Sequence, residues 1–451
     1  CSSDLLDAYV NGQTKDFSTV GVKAVDDYTV QYTLNQPEPY WNSKTTSAIL
    51  WPVNAEFLKS KGDKFGQSTN PSSILYNGPF LMKAITAKSA VEYVKNNNYW
   101  DKDNVNVDSI KLAYYDGQDQ DSLARNFKDG AYTYARLFPA SSNFATFEKD
   151  FKDNIYTSEA GAGTAVLGLN IDRQTYNHTA KKTDEQKNST KKALLNKDFR
   201  QALNFALDRD SYAAQVNGKD GAAKAIRNMF VPSDFVQVGE KSFSDVVEEK
   251  LASYGDDWKG VKLADSQNGL YNPDKAKAKF AKAKGALQAQ GVQFPIHIDV
   301  PVIETSKNFV ARIQSMKQSI EKVLGKENVV MDLNMMSEDD VMNITYYAPN
   351  AASEDWDLSG IVGWTPDYQD PSTYLDTLNI KNGGSLQNFG LEPGQENDKI
   401  KAVGLDTYTE MLAEANAETN EATRYEKYAE AQAWLIDSGL TMPNQIGRAH
   451  V

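Results

Sequence analysis

The sequence predicts a mixed α/β protein with more than one lobe. Segments that alternate apolar and polar residues, typical of β-strands, are interspersed with segments whose apolar residues recur at helical spacing. The chain has 451 residues, enough for two or three lobes with separate cores. With 40% hydrophobic and 24% charged residues, its composition is that of a globular protein. No apolar run reaches the roughly 18 to 20 residues that a membrane-spanning helix needs.

The first third of the chain contains predicted strand pairs followed by a helix. Residues 22–34 alternate around Asp26 and Asp27, which indicates two strands joined by a tight turn. The same kind of pattern predicts further strands at 78–84, 90–94 and 109–115. Residues 119–129 are typical of a helix, and Gly130 suits the C-terminal end of that helix.

The remainder of the chain alternates helices with strands. Strands are predicted at 161–170, 294–302, 329–333 and 359–364. Helices are predicted from Asn196, after Asn272, between the second and third of these strands, and at about 422–438. The succession of strand, helix and strand from 294 to 333 indicates a βαβ unit, and therefore a pair of parallel strands. The inner face of the helix after Asn272 is expected to consist of Ala276, Phe280, Ala283 and Leu287.

The charge of the chain disfavours two classes of partner. Its 48 basic and 61 acidic residues give a net charge of −13. A field of this sign repels nucleic acid and anionic membrane surfaces, so neither is an expected partner. Five lysines between 275 and 284 are interpreted as a solvated helix face rather than as a site for a polyanion.

Few residues suited to catalysis or metal binding are present. The chain has three histidines and one cysteine, and it lacks the H-E-x-x-H, phosphate-loop and G-x-S-x-G motifs. His178 lies in a polar stretch and His297 in an alternating strand, so we interpret both as surface or lining residues. The acidic turn at 116–121 lacks the ordered ligands of a calcium loop. We therefore expect no catalytic residue, no metal and no cofactor.

Both ends of the chain resemble translated sequencing adapter. Residues 1–5 and 446–451 back-translate to strings similar to the two orientations of a common short-read adapter. Such segments are set aside before the fold is considered. Cys1 would otherwise suggest the lipidated first residue of a bacterial lipoprotein, but on this interpretation it is adapter. We expect residues 6–445 to be a fragment, cut at both ends.

Five motifs, in order and spacing, resemble one protein family. They are Val22–Val30 (VKAVDDYTV), Tyr76–Phe80 (YNGPF) with Asn98–Asp101 (NYWD), Asp198–Arg209 (DFRQALNFALDR), Tyr271–Ala276 (YNPDKA) and Gly363–Pro371 (GWTPDYQDP). Together they resemble the extracytoplasmic oligopeptide- and dipeptide-binding proteins of ABC importers, solute-binding family 5. The likeness is greatest to oligopeptide-binding lipoproteins of streptococci and related Gram-positive bacteria, and it covers nearly all of residues 20–445.

The resemblance implies a periplasmic-binding-protein-like fold of type II. This is a flytrap of two α/β lobes with mixed sheets, plus a third domain in complete family members. Residues 6–40 would be the tail of that extra domain and the hairpin entering lobe 1, 41–165 part of lobe 1, and 166–445 lobe 2. A fragment of this kind would leave apolar surface of lobe 1 uncovered, so we expect it to be poorly soluble.

The resemblance also implies a function. The protein would be the solute-binding subunit of an ABC peptide importer, non-enzymatic, capturing extended oligopeptides between its lobes and delivering them to the permease and ATPase. It would act outside the cytoplasm, anchored to the outer face of the plasma membrane by a lipid. Another solute on the same fold, such as a dipeptide, nickel complex, heme or oligosaccharide, is the alternative. A hydrolase is less expected.

Carried over by position, the family pattern gives candidate site residues. Gly363, Trp364 and Thr365 would line the peptide, and Asp367 would hold its terminal ammonium as a buried carboxylate. Asp367 could instead form a turn before Asp370, and Trp364 could belong to the core. Peptide recognition of this kind adds a strand to a sheet edge.

Weaker candidates follow from the same positions. Arg136 falls in a stretch where relatives place ligand contacts. Gly161 opens a run of small residues that suggests a wide cleft. The pair Tyr99–Trp100 is interpreted as packing of the strand pair, and Arg200 and Arg209 as scaffold salt bridges.

Overall fold

The computed structural model describes residues 3–139, 141–156 and 161–446. They form two compact units. The smaller unit comprises the described residues of Ser47–Ile155 together with Thr305–Lys307, and the larger unit comprises the others. Cys1 and residues 447–451 lie outside the described residues, so the adapter interpretation remains a prediction there. The lobe boundaries implied by the family resemblance also remain a prediction.

The described residues contain strands in both units. These strands are β1 (Val22–Asp26), β2 (Thr29–Tyr32), β3 (Phe80–Thr86), β4 (Ala90–Lys95), β5 (Ser109–Ala113), β6 (Thr164–Leu169), β7 (Gln237–Val238), β8 (Lys241–Ser242), β9 (Ile296–Ile303), β10 (Val329–Met336), β11 (Leu358–Trp364) and β12 (Thr441–Ile446).

Helices account for much of the remaining described chain. They are α1 (Ser3–Val10), α2 (Trp41–Lys44), α3 (Ala55–Lys61), α4 (Gln120–Lys128), α5 (Phe144–Asp150), α6 (Asp184–Leu195), α7 (Lys197–Ala206), α8 (Arg209–Ala222), α9 (Phe243–Leu251), α10 (Pro273–Ala289), α11 (Lys307–Leu324), α12 (Glu338–Asn343), α13 (Ser372–Leu375), α14 (Asp398–Val403), α15 (Leu405–Asn416) and α16 (Glu421–Ser438). Among these described helices, none combines the length and apolar character needed to cross a bilayer.

The predicted strand pairings are confirmed. β1 and β2 form an antiparallel hairpin, and the Asp26 carboxylate accepts a 2.8 Å hydrogen bond from the Tyr28 amide at its turn. In the smaller unit, β3, β4 and β5 form an antiparallel sheet in that order. In the larger unit, β9 and β10 pair in parallel, with α11 between them in the chain. The mixed α/β class and the βαβ unit therefore agree with the sequence.

The larger unit has an extensive hydrophobic core. It buries the predicted inner face of α10, and Phe280 of that face lies 6.2 Å from Phe199 of α7, measured between ring centroids. Burying one such side chain stabilises a fold by about 1.5–3 kcal/mol. The 3.6-residue periodicity alone therefore identifies the inner face of this helix.

Two buried arginines bind main-chain carbonyls instead of the carboxylates expected for them. Arg200 donates to the carbonyls of Ser438 and Leu194, both at 2.9 Å. Arg209 donates to the carbonyl of Pro443 at 2.7 Å and to the side chain of Asn204. Neither has a carboxylate salt-bridge partner among the described residues. The scaffold role is confirmed but the salt bridges are wrong, because main-chain carbonyls at the C-terminal ends of α6 and α16 and in β12 accept the hydrogen bonds instead.

Trp100 does not pack the strand pair as predicted. Its side chain is 84% exposed, and its ring lies 5.7 Å from that of Tyr99. The residue follows the polar turn after β4, where its neighbour covers only part of the indole. An aromatic residue in a family motif is therefore not evidence of burial.

A cluster of buried charged residues joins three segments of the larger unit. Arg173 lies 2.7 Å from Asp299, 2.7 Å from Asp355 and 3.1 Å from Asp357, and Lys181 lies 2.7 Å from Asp299. Lys181 also contacts Asp357. All five side chains are at most 2% exposed. We call these five residues the Arg173 cluster; it ties residues 173–181 to β9 and to the segment before β11.

The electrostatics of this cluster are visible in one carboxyl group. Burial alone would raise the pKa of Asp299, but the Lys181 ammonium and hydrogen bonds from the Ala180 amide and the Thr179 hydroxyl lower that pKa to about 2. The carboxylate is thus ionised in the folded protein and stabilised by its partners.

The two central histidines are partly exposed, as predicted. The Nδ1 atom of His178 lies 2.9 Å from Asp355, and that of His297 lies 2.8 Å from Asp332. Their side chains are 41% and 22% exposed. Among the residues described, no group of three or more His, Cys, Asp or Glu side chains is arranged to hold a metal ion.

Candidate functional site

Strand β11 lies at an edge of its sheet. The order of that sheet is β11-β6-β12, so β6 is central and β11 pairs with it on one side. Gly363 lies opposite Ala165 and Trp364 opposite Thr164 in antiparallel register. In the described part of the chain, no strand pairs with the other side of Ile361–Trp364. Such an edge presents backbone donors and acceptors to an added strand.

Gly363 permits the close approach of β11 to β6. A Cβ atom at this position would lie 2.7 Å from the Thr164 carbonyl oxygen and 3.3 Å from the Ala165 Cα. These neighbours are backbone atoms and cannot rotate away. The residue is exposed, so its bare backbone is accessible from outside the sheet.

Substituting Gly363 with alanine is expected to destabilise the larger unit. The strained contact with β6 should lower the free energy of unfolding by about 1–3 kcal/mol, as overpacking does in other proteins. Gly285→Ala is the matched control. Gly285 lies in α10 with open space where the added methyl group would go, so this change should stabilise by about 0.5–1 kcal/mol. Urea denaturation of both variants measures the difference; equal effects would show that β11 has room to shift.

Trp364 contributes to the core, the second of the two roles considered for it, and its role in lining a peptide remains a prediction. The side chain is half-buried and packs against the core of the larger unit. Its indole Nε1 is buried and has no hydrogen-bond partner among the described residues. A buried indole N–H usually has a partner, so this unpaired donor is an exception within the described residues.

Thr365 and Asp367 are exposed, which corrects the expectation of a buried carboxylate. The Asp367 amide donates a 2.9 Å hydrogen bond to the Thr373 hydroxyl, which fixes the backbone. The carboxylate itself projects from the turn after β11, where the chain leaves the sheet and no neighbouring element of the described chain buries it. An ion pair at an exposed carboxylate contributes about 0–1 kcal/mol, so a strong contact requires that the ligand itself excludes water.

Gly161 is held beside this strand end by its carbonyl group. The Arg227 guanidinium donates to the Gly161 carbonyl at 3.1 Å and to the Thr164 hydroxyl at 3.2 Å. Because Thr164 is the register partner of Trp364, the structure brings Gly161, Gly363 and Trp364 to one end of the sheet. Sequence reasoning missed Arg227, since no motif surrounds it.

Arg136 belongs to the smaller unit. Its side chain is exposed and its guanidinium lies 4.7 Å from the ring of Phe138. This cation–π contact leaves the charge accessible to solvent.

The motif containing Asp367 ends in a buried ion pair. Arg424 of α16 binds both carboxylate oxygens of Asp370, at 2.9 and 3.0 Å, and both side chains are at most 1% exposed. Bidentate pairs of this kind fix orientation as well as position. Helical spacing predicted α16, whereas Arg424 carried no signal beyond lying on that helix.

Comparisons with known proteins agree on one family. The family model described as bacterial extracellular solute-binding proteins, family 5 Middle, matches residues 4–385. The chain is 62% identical over 436 residues to the oligopeptide-binding protein AmiA of Streptococcus pneumoniae, covering 96% of this chain and 66% of that protein. It is 61% identical over 440 residues to SarA of Streptococcus gordonii, covering 97% and 66%. The chain thus spans about two thirds of the length of these relatives.

Solved structures share the fold at lower identity. Listeria monocytogenes OppA bound to peptide matches with a TM-score of 0.65 and 23% identity, covering 98% of this chain and 72% of that one. The substrate-binding domain of an oligopeptide ABC transporter from Bacillus anthracis matches with a TM-score of 0.68 and 22% identity, covering 98% and 73%. These structures establish the fold of the chain.

Proposed function

We propose, from the premise that this chain belongs to family 5 of the bacterial extracellular solute-binding proteins, that it captures oligopeptides for an ABC importer. The family predicted from the five motifs is the family found. Relatives at 62% and 61% identity are named oligopeptide-binding proteins, and the present proposal extends that role to this chain.

The observation that carries the proposal is the free edge of β11 followed by an exposed carboxylate. An extended peptide has main-chain donors and acceptors regardless of its side chains, so strand addition to β11 would bind many sequences. Gly363 is exposed and leaves the backbone approachable, and the half-buried Trp364 would border the peptide next to it. Asp367, the first carboxylate beyond the edge, would pair with the terminal ammonium.

The remaining candidate contacts belong to the same proposal. Gly161 and Thr365 lie at or next to the end of the β11–β6 pair and would contact the peptide there. Arg136, an exposed cation in the smaller unit, is proposed as a ligand contact from its position in the family pattern alone. Partnership with a permease and an ATPase, and anchoring outside the cytoplasm by a lipid, are proposed from the family alone.

Isothermal titration with a free-amine hexapeptide and its N-acetylated counterpart tests the role of Asp367. We expect the unmodified peptide to bind at least tenfold more tightly, because acetylation removes the charge that Asp367 would pair with; a charge-assisted hydrogen bond is worth about 1.5–3 kcal/mol when water is excluded. Asp367→Asn should reduce the preference to within about threefold, by loss of the same contact.

Asp339→Asn is the matched control, since Asp339 is an exposed carboxylate in α12. This variant should keep the wild-type preference for the free amine. If Asp367→Asn also kept it, the ammonium would be recognised elsewhere and the assignment would be wrong.

A further inference from the structure

A cation lies over two stacked tyrosine rings beside the loop that follows β11. The rings of Tyr40 and Tyr368 are 4.8 Å apart and within 11° of parallel. The Lys44 ammonium lies 5.0 Å from the first ring centroid and 4.8 Å from the second, and 2.8 Å from the Glu38 carboxylate. We call Glu38, Tyr40, Lys44 and Tyr368 the Lys44 clamp. Three of its members come from one segment, and the fourth is the residue after Asp367.

The loop that carries Asp367 and Tyr368 is also held from the residues that follow it. The Asp367 amide donates to the Thr373 hydroxyl at 2.9 Å, and the Ser372 hydroxyl donates to the Tyr368 hydroxyl at 3.2 Å. At one end it leaves β11, and at the other Asp370 is fixed by Arg424. Between them, the Gln369 amide donates a 3.0 Å hydrogen bond to the Ser43 hydroxyl, and the Gln369 side chain donates to the Phe235 carbonyl. Ser43 adjoins Lys44, so the segment that forms the clamp also binds the loop backbone.

The clamp is partly shielded from water. The side chains of Lys44 and Glu38 are 25% and 16% exposed. A partly desolvated ammonium over aromatic rings gains about 1–2 kcal/mol. The Arg424 guanidinium, 5.1 Å from the Tyr40 ring, adds a second cation to that aromatic group. Tyr40 is thus fixed by Arg424, and the Tyr368 ring is held by Tyr40 and Lys44 in addition to the Ser372 hydroxyl.

We propose that Lys44 is a positioning residue for recognition of the peptide's amino terminus, a role that rests on the function proposed above. It holds Tyr368, and through Tyr368 the backbone from which Asp367 projects. Because the Asp367 carboxylate is exposed, its own surroundings do little to orient it. Loss of Lys44 leaves the Asp370–Arg424 pair and the Thr373 hydrogen bond in place, so the chain still folds, but Asp367 is less preorganised.

Three variants test this role. Lys44→Met removes the cation, and Lys44→Arg keeps it. Lys187→Met is the matched control, because Lys187 lies 5.3 Å from the Tyr176 ring and 3.0 Å from Asp184, at a site away from the loop in sequence and contacts. The measurements are amide hydrogen exchange within residues 365–373, and the ratio of dissociation constants for N-acetylated and free-amine hexapeptides.

We expect Lys44→Met to accelerate exchange in this segment about three- to tenfold, as loss of a contact worth about 1 kcal/mol would do. Its dissociation-constant ratio should fall from at least tenfold to within about threefold. Lys44→Arg and Lys187→Met should both retain wild-type exchange and the wild-type ratio.

The proposal would be overturned by exchange in Lys44→Met equal to that of Lys187→Met, or by a faster-exchanging loop that still discriminates as wild type does. Faster exchange in Lys44→Arg than in wild type would also contradict the proposal, since the positive charge at residue 44 would then not be what holds the loop. Failure of the proposed function is distinct, because the wild-type protein itself would then bind neither peptide or bind both equally. Lys44 would in that case have no recognition to support, whatever the exchange rates.

Discussion

Replacing Arg173 with methionine is expected to lower the free energy of unfolding by about 3–5 kcal/mol, as in other proteins where one partner of a buried ion pair is removed. The Arg173 cluster contains three carboxylates against two cations. Without the guanidinium, Lys181 would still contact Asp299 and Asp357, and Asp355 would keep His178 but lose its arginine partner. The uncompensated charge, rather than the lost contacts alone, produces the large effect.

Urea denaturation followed by tryptophan fluorescence measures this loss. Arg312→Met is the control, since Arg312 lies over the rings of Tyr212 and Phe309 without a carboxylate salt bridge among the described residues. That change should cost less than about 1 kcal/mol. Adding Asp355→Asn to Arg173→Met should recover part of the stability, because it removes one excess negative charge. A loss below about 1 kcal/mol for Arg173→Met itself would mean that water enters the cluster.

Replacing Glu354 with glutamine is expected to stabilise the protein at neutral and alkaline pH. Glu354 is 1% exposed, and its Oε2 atom has no hydrogen-bond partner among the described residues. Burial, and next the charge of Glu392, raise the pKa of Glu354 to about 9. The folded protein thus keeps this proton at a pH where the unfolded chain has released it.

The direction of the pH dependence follows from that difference. Between about pH 4.5 and pH 9 the folded state binds more protons at Glu354 than the unfolded state, so wild-type stability falls as pH rises through this window. Glutamine does not titrate, so the variant lacks this contribution. We expect the stability of Glu354→Gln relative to wild type to increase by about 2 kcal/mol or more from pH 5 to pH 8, against a limit of about 1.36 kcal/mol per pH unit.

Denaturation at several pH values measures the difference. Glu410→Gln, an exposed change on α15, should run parallel to wild type throughout. If the stability of Glu354→Gln also followed the wild-type pH dependence, Glu354 would be solvated or paired in solution, and its pKa would have its ordinary value.

Periodicity predicted the elements because it is a local property of the chain. The parallel pair β9–β10 and the buried face of α10 follow from spacings within about 40 residues or fewer. The Arg173 cluster could not be predicted in this way, because its members are separated by up to 184 positions along the chain. A signal was nonetheless present: Asp299 interrupts the apolar strand 294–302, and a carboxylate at such a place needs buried partners.

The candidate site shows the same division. Motif positions located Gly363, Trp364 and Asp367 at the end of β11, where the structure places them. Neither the exposure of Asp367 nor the contact of Lys44 with Tyr368 follows from the motif, because both depend on how distant segments meet. Trp100 shows the same limit from the other side. It belongs to a family motif, but its side chain is exposed because no distant segment of the described chain covers it.

The edge of β11 has one further consequence. Along a strand, the hydrogen-bonding groups that face a given neighbour belong to every second residue. A peptide paired with Ile361–Trp364 would form backbone hydrogen bonds to β11 through every second one of its residues. The amide and carbonyl groups of the residues between them would point away from β11. N-methylated residues or prolines in the guest would then be tolerated at every second position and would prevent binding at the positions between them. This selectivity depends on the guest's backbone and not on its side chains.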